Sequence, residues 1–223
     1  MQTRTVSTAN ELNRRSYDAI AALWAASRRD LPALDREYVE AVLADLAPGA
    51  PVLDAGCGTG RPIAALAIAR DLALTGIDQS PAMLAHAERE FPMASWRLAR
   101  LEDAAFDGPY AGAFLWDALF HLPRESHAPL LARLVAALDD GARLALTVGG
   151  SAHPAFTDTM FDHSFFYDSH PPAVVGALLR ALDVVIEREG YLNLPTGGRD
   201  KGRYAYVVRK AGRARMAPGT GLG

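Results

Sequence analysis

The stretch Val52-Leu53-Asp54-Ala55-Gly56-Cys57-Gly58-Thr59-Gly60 constrains the fold more than any other part of the chain. It opens as a short apolar run, which suits a buried strand, and then places glycines at alternate positions. After Arg61 and Pro62, an apolar run over 63–69 suits a helix packed on a sheet. Strand, glycine turn and helix in that order mark a nucleotide-type ligand site at the edge of a parallel sheet. Glycine is needed there because it permits positive φ and lets the backbone meet a ligand with no Cβ in the way.

The details of the loop choose between ligands. A dinucleotide fold spaces its glycines G-x-G-x-x-G and seats a pyrophosphate on the helix N-terminus. Here the spacing is G-x-G-x-G, and Asp54 stands two residues before the first glycine, where it would repel a pyrophosphate. A ligand without phosphate and with a cationic end would tolerate that carboxylate. S-adenosylmethionine (SAM), with its ammonium and sulfonium, is such a ligand. Residues Val52 to Gly60 resemble the first motif of the class I SAM-dependent methyltransferases, in their small-molecule branch. The resemblance implies that Asp54, Gly56, Cys57, Gly58 and Gly60 hold the cofactor. The other reading of the stretch is a turn that merely links strand to helix. Cys57 is the single cysteine, which rules out an internal disulfide and fits a reducing compartment. As a residue it reads as a small buried side chain, with no local base to activate a thiol.

A second anchor lies about 20 residues on. An apolar run over 72–77 reads as the next strand and ends in Asp78, placed to accept hydrogen bonds from ribose hydroxyls. Ser80 and Pro81 then open a helix as N-cap and first helical residue. The resemblance runs through Gly76 to Leu84. It implies that Gln79 lines the adenosine pocket, with a solvated side chain as the alternative; Met83 is core or cofactor wall. A third strand over 96–99 should be followed, in the family, by an acid for the adenine amine. Arg100 stands there instead, with Glu102 and Asp103 after it. Either the register is shifted or backbone groups near Leu101 hold adenine. A fourth strand over 110–116 carries Trp116 and is followed by Asp117 and by His121. Carboxyl ends of parallel strands are where open α/β sheets bind ligands. His121 is the candidate general base, or a structural or cofactor-lining residue.

The N-terminal 8–29 reads as a helix that Asn10 could cap, with Tyr17 and Trp24 on its apolar face. The resemblance implies that such a helix closes over SAM and that Tyr17 reaches the ligand's carboxylate; packing is the plainer reading. The candidate cofactor set is thus Tyr17, Asp54, Gly56, Cys57, Gly58, Gly60, Asp78, Gln79, Met83, Leu101, Glu102, Trp116 and Asp117. His121 is the candidate catalytic residue, and no metal is expected.

A helix over 124–138, ended by Asp139-Asp140-Gly141, leads to a fifth strand over 142–148. Residues 149–167 form a poorly periodic insert rich in aromatics, expected to shape an apolar acceptor pocket with Asp117, His121 and Tyr167 as its polar contacts. A helix over 171–182, a strand over 184–188, a long connection over 190–202 and a last strand over 204–208 complete the pattern. The expected domains are N-terminal helices 1–48 capping the cofactor site, a SAM-binding domain 49–211 with an insert about 149–168, and a disordered tail 212–223. The family implies a Rossmann-like α/β fold: a seven-stranded sheet, mostly parallel with the last strand antiparallel, and helices on both faces. A chain of 223 residues, half of them hydrophobic, suits it. A net charge of −3 without like-charge blocks argues against nucleic acid or an anionic membrane as partner. The first residues lack the apolar core of a signal peptide, and no run is long enough to span a bilayer, so a cytoplasmic enzyme is expected. The expected function is methyl transfer from SAM to a small-molecule acceptor. A non-catalytic SAM-binding protein is the alternative, and a nicotinamide-dependent oxidoreductase is disfavoured by Asp54 and the glycine spacing.

Overall fold

The computed structural model describes the backbone of residues 2–196 and 200–212, with side chains from residue 8 onward. The expected disordered tail lies outside the described residues, Gly212 apart. In chain order the helices are α1 (Gln2–Ser27), α2 (Ala33–Leu43), α3 (Ile63–Ile68), α4 (Pro81–Glu90), α5 (His127–Ala136) and α6 (Pro172–Arg180). The strands are β1 (Pro51–Ala55), β2 (Ala73–Asp78), β3 (Ser95–Leu98), β4 (Tyr110–Leu115), β5 (Leu138–Gly149), β6 (Phe156–Met160), β7 (His163–Tyr167), β8 (Val184–Asn193) and β9 (Arg203–Lys210). Seven of them form one sheet in the order β3-β2-β1-β4-β5-β9-β8, and β6 and β7 form a separate hairpin. Within the sheet β9 runs antiparallel to the other six, as expected of the last strand.

Alternate residues of each inner strand enter opposite cores, as a two-residue period requires. Leu53, Ala113, Leu115, Leu144 and Leu146 meet Leu130, Leu131 and Leu134 of α5 and Val175 and Leu179 of α6. Val52, Phe114, Ala145 and Val207 meet Val39 and Val42 of α2 and Ile63, Ala64 and Ala67 of α3. Strands buried on both faces read as nearly continuous apolar runs, which is why they stand out in the sequence. A third, smaller cluster joins Ile20 and Ala21 of α1 to Met83 of α4 and Phe165 of β7. It seats α1 between the sheet's helical layer and the hairpin. From β1 the chain builds β2 and β3 on one side and then returns to place β4 on the other. The carboxyl ends of β1 and β4 therefore part at a topological switch point, where ligands bind in such sheets.

Four elements differ from the sequence expectation. Helix α1 begins at Gln2, because no glycine or proline interrupts the residues before Asn10; Asn10 lies inside it and is not a cap. Strand β5 starts at Leu138, so Asp139-Asp140-Gly141 belong to the strand rather than ending the helix. Strand β8 continues through Gly190, where the Tyr38 hydroxyl would lie 3.0 Å from a Cβ; a bare backbone lets that ring approach. The aromatic insert is a regular hairpin. Phe156, Asp158 and Met160 point inward alternately with exposed Thr157 and Thr159. Its turn uses Phe161 and Asp162 at φ of 50° and 62°, without the glycine or asparagine that normally announces such a turn.

Candidate cofactor and acceptor site

Beyond β1 the chain turns through Gly56 and Gly58, both in the left-handed region, at φ of 83° and 53°. The Gly56 and Cys57 N–H groups donate to the Ile77 carbonyl at 2.8 and 3.1 Å, which pins the turn to β2. Asp78 closes the same loop. One of its carboxylate oxygens accepts the Gly58 N–H at 2.9 Å and the other the Ser80 N–H at 2.8 Å. Ser80 in turn caps α4, accepting the Met83 N–H at 3.1 Å, with Pro81 as the first helical residue. Loop, acid and helix start are thus one hydrogen-bonded unit. Burial raises the Asp78 carboxyl above the usual range, against the pull of its backbone donors. Asp54 is only 2% exposed. Burial, and then the charge of Asp78, push its carboxyl up to about 8, and no cation offsets them.

A cavity opens over this unit. All the candidate cofactor residues except Gly60 line it, and so does His121. A Cβ on Gly58 would find only the Trp24 indole nitrogen, at 3.6 Å, so this glycine faces open space. Gly60 has a different task. A Cβ there would come within 2.9 Å of Trp96 and 3.2 Å of Phe91, so it serves packing and not the ligand wall. Arg100 does not line the cavity; its guanidinium sits 3.5 Å from Asp103 and 3.9 Å from Glu102. The acid that enters is Glu102, which also accepts the Asn10 amide at 2.5 Å. Arg133 of α5 donates to the Leu101, Glu102 and Ala104 carbonyls and fixes that loop.

A second cavity adjoins the first and shares Tyr17, Trp24, Arg28, Asp117 and His121 with it. It continues among Phe120, Phe156, Met160 and Tyr167, with Phe156 stacked on Tyr167 at 5.3 Å. Its wall also holds Asp158, Lys201 and Arg203, so it is more polar than the apolar pocket expected from the insert. At the junction, His121 Nδ1 lies 3.0 Å from the Phe166 carbonyl, which can only accept, so Nδ1 carries the proton. Nε2 then accepts the Tyr17 hydroxyl at 2.8 Å. Burial holds His121 down at about 4 and raises Tyr17 above its ordinary value. Asp117, at φ of 53°, is locked: Arg203 donates to both its oxygens at 2.9 Å, and Thr147 donates at 3.1 Å. Arg203 also holds the buried Asp35 at 2.7 Å. The Asp117 carboxylate is a wall of the site, with little capacity left for a ligand.

A family described as methyltransferase domain matches residues 52–141, from the first residue of the glycine-loop motif into the start of β5. A trans-aconitate 2-methyltransferase from Methylobacterium nodulans is 36% identical over 134 residues, 58% of this chain and 48% of that protein. Over this stretch the chain resembles SAM-dependent methyltransferases. It spans about half the length, or less, of the curated relatives it matches. Among solved structures, the 1,6-didemethyltoxoflavin-N1-methyltransferase of Burkholderia thailandensis, bound to its acceptor and S-adenosylhomocysteine (SAH), aligns with a TM-score of 0.65 at 22% identity. That alignment covers 88% of this chain and 84% of the other. A (4+2)-cyclase, SpnF, aligns with a TM-score of 0.69 at 16% identity, over 90% of this chain and 95% of the other. At these identities the likeness speaks for the fold. Among the described residues there is no His, Cys, Asp and Glu cluster fit for a metal, and no helix long and apolar enough to cross a membrane.

Arg28, Asp35 and Arg203 line these cavities without having been singled out in the sequence. Two signals could have found them. Tyr17, Trp24 and Arg28 are spaced by seven and four, one face of one helix. Arg203 opens an antiparallel last strand, and such a strand starts at the edge where the parallel strands end.

Proposed function

We propose that this chain transfers the methyl group of SAM to a small-molecule oxygen or nitrogen nucleophile that reaches the site deprotonated or with an acidic proton. The observation that carries this reading is the pair of adjoining cavities, one built on the Asp54, glycine and Asp78 unit, the other walled by aromatics. The first fits the cofactor by its chemistry. Asp54 is buried without a counter-charge, which suits a ligand ammonium. Asp78 keeps lone pairs for ribose hydroxyls. Both acids oppose the pyrophosphate of a dinucleotide. When bound, SAM supplies a methyl group already activated by its sulfonium. The task left to the chain is to exclude water and align the acceptor, which Tyr17, Trp24 and the hairpin aromatics support.

The Tyr17–His121 pair bears on the proton. His121 Nε2 is already occupied by the Tyr17 hydroxyl, so the imidazole is not a direct base. A proton leaving the acceptor would pass to the Tyr17 oxygen as the Tyr17 proton moves to Nε2. A histidine held at about 4 is a poor match for a neutral alcohol. It suits a carboxylate, which arrives deprotonated, or an electron-poor phenol or N–H with an acidic proton. The named activity of the Methylobacterium relative on a carboxylate compound, and that of the Burkholderia enzyme on a heteroaromatic nitrogen, agree with this class. The neighbouring cyclase is a reason to test turnover itself, since fold does not imply function.

The test is calorimetry of SAH and NADH followed by turnover with SAM across a panel of small carboxylates, phenols and heteroaromatics. SAH binding, no NADH binding and methylated product are expected. NADH binding without SAH binding would sink the reading, and SAH binding with no product would leave a sensor.

A further inference from the structure

The second cavity has a volume of about 250 Å³. That exceeds the roughly 150 Å³ that takes one benzene and stays below the roughly 300–1,000 Å³ of pockets for drug-sized ligands. It suits a single substituted ring. The aromatic wall of the cavity follows from the hairpin register. Phe156 and Tyr167 are directly paired across β6 and β7, so they share a face, and they stack at 5.3 Å with 17° between their planes. Phe120, beyond β4, continues the row at 6.3 Å and 29° from Tyr167, and His121 packs on Tyr167 at 4.8 Å. Three neighbouring rings thus hold the Tyr167 ring, and with it the direction of its hydroxyl.

Other polar groups of the wall already engage partners. His121 is bonded to Tyr17 and the Phe166 carbonyl, and Asp117 to Arg203 and Thr147. Asp168 accepts from Arg124, and Ser169 accepts the Gly149 N–H and donates to the His170 carbonyl. The Tyr167 hydroxyl is different: among the described residues it has no hydrogen-bond partner. Burial raises it above its ordinary value, so it stays protonated and can donate. Among the described residues the cavity lining holds three cations, Arg28, Lys201 and Arg203, against four aspartates, so no excess of positive charge draws an anionic substituent. A neutral hydrogen-bond acceptor fits better. A carbonyl on the ring is such a group, and it withdraws electrons, which gives a phenol or N–H the acidic proton that His121 requires. Its oxygen gains negative charge as that proton leaves, so a hydrogen bond to it strengthens at that step. We infer that Tyr167 is an acceptor-binding residue whose hydroxyl donates to a carbonyl oxygen on a planar, single-ring substrate, with the substrate's nucleophile beside Tyr17. This rests on the methyltransferase reading above and narrows its acceptor.

Calorimetry on the SAH-loaded protein at pH 6, where simple phenols are protonated, tests it with two matched pairs. These are 3- and 4-hydroxyacetophenone against 3- and 4-isopropenylphenol, alike in shape, with a methylene in place of the carbonyl oxygen. The wild-type protein should bind at least one ketone about threefold to tenfold more tightly than its counterpart, the span of a neutral hydrogen bond. Tyr167→Phe should erase that preference and leave the isopropenylphenol affinities unchanged. It should not lower the thermal unfolding midpoint, since the ring stack stays and the hydroxyl holds nothing else. Wild-type protein that binds none of the four phenols, or that shows no preference, overturns the inference. So does a preference that survives Tyr167→Phe, or a midpoint that falls in the variant, which would give the hydroxyl to the fold. In all these cases SAH binding stands, and the cofactor reading with it. Wild-type protein that does not bind SAH overturns the cofactor reading itself.

Discussion

Tyr17 and His121 are 104 residues apart and read separately in the sequence, one as a packing or carboxylate-contacting aromatic, the other as a base. The structure joins them in one bond, and that bond sets a testable division of labour. Tyr17→Phe keeps the ring against Trp24 at 5.6 Å and Phe165 at 4.8 Å, and removes only the hydroxyl. If the pair relays a proton, kcat should fall by roughly 10²-fold, at the low end of acid–base contributions, while the SAH affinity stays within about twofold. If the hydroxyl instead serves the cofactor, calorimetry will show the loss in SAH affinity. No change in either quantity would remove Tyr17 from the chemistry. At this scale the acid, the glycines and the second acid were legible because a close backbone approach demands those residue types at fixed spacing. Arg28 and Arg203 were not, because nothing local demands them. Each acquires its place only when α1 or β9 is packed against the ends of β1 and β4.

The element that turns a cofactor loop into an enclosed site is α1. Its polar residues hook the rest of the molecule turn by turn. Asn10 reaches Glu102, Ser16 donates to the Ser164 carbonyl at 2.5 Å, and Asp18 accepts from the Ser80 hydroxyl at 2.6 Å and the Ala82 N–H at 3.2 Å. Asp18 thus places a negative charge at the start of α4, where the helix dipole favours it. Asn13 is the most committed of these residues. It donates to the His121 and Phe166 carbonyls at 3.0 and 3.1 Å and accepts the Phe166 N–H at 2.7 Å, tying α1 to both the β4 exit and the hairpin. Asn13→Ala leaves that N–H and the His121 carbonyl unmatched in a buried position, while the Phe166 carbonyl keeps the His121 Nδ1–H. It should destabilise the fold by roughly 1–3 kcal/mol in urea unfolding, and loosen α1 and the hairpin together in hydrogen exchange. Exchange that rises in α1 alone would show that the two are not coupled through Asn13. The sequence revealed α1 through its period but not its hooks, which are ordinary polar residues until a partner is known. The hairpin stayed hidden for a different reason. Its first strand alternates in burial but the second, His163–Tyr167, does not, and the turn between them is Phe161-Asp162, chemistry that sequence patterns assign to neither turn nor strand.

At the scale of the whole molecule, the buried titratable groups of the site set the pH range in which the fold is most stable. His121 and His127 are each held by burial at about 4, against an ordinary 6.5. Below pH 6.5 the unfolded chain takes up protons that the folded chain refuses until about pH 4, so stability falls as the pH drops through that window. Asp54 works in the opposite direction. With its carboxyl at about 8 against 3.8, the folded chain keeps a proton that the unfolded chain releases, and stability falls as the pH rises from 3.8 to 8. Asp78, also raised, adds to the Asp54 effect just above the ordinary carboxylate range. Glu11, Asp168 and Glu187, all lowered, add to the acid loss below about pH 4.5. Between pH 4 and 6.5 the two histidines outweigh Asp54, and above 6.5 Asp54 remains, so these groups place the maximum for the free protein near pH 6.5. A ligand ammonium against Asp54 favours its ionised form and removes the alkaline loss. The rise in Tm produced by saturating SAH should therefore be larger at pH 8 than at pH 6. In Asp54→Asn, which cannot ionise, the rise should be the same at both. Differential scanning calorimetry at the two pH values measures it directly. An equal rise in the wild-type protein at pH 6 and pH 8 would mean that the ligand's cation lies away from Asp54, and that this buried acid serves the fold rather than the cofactor.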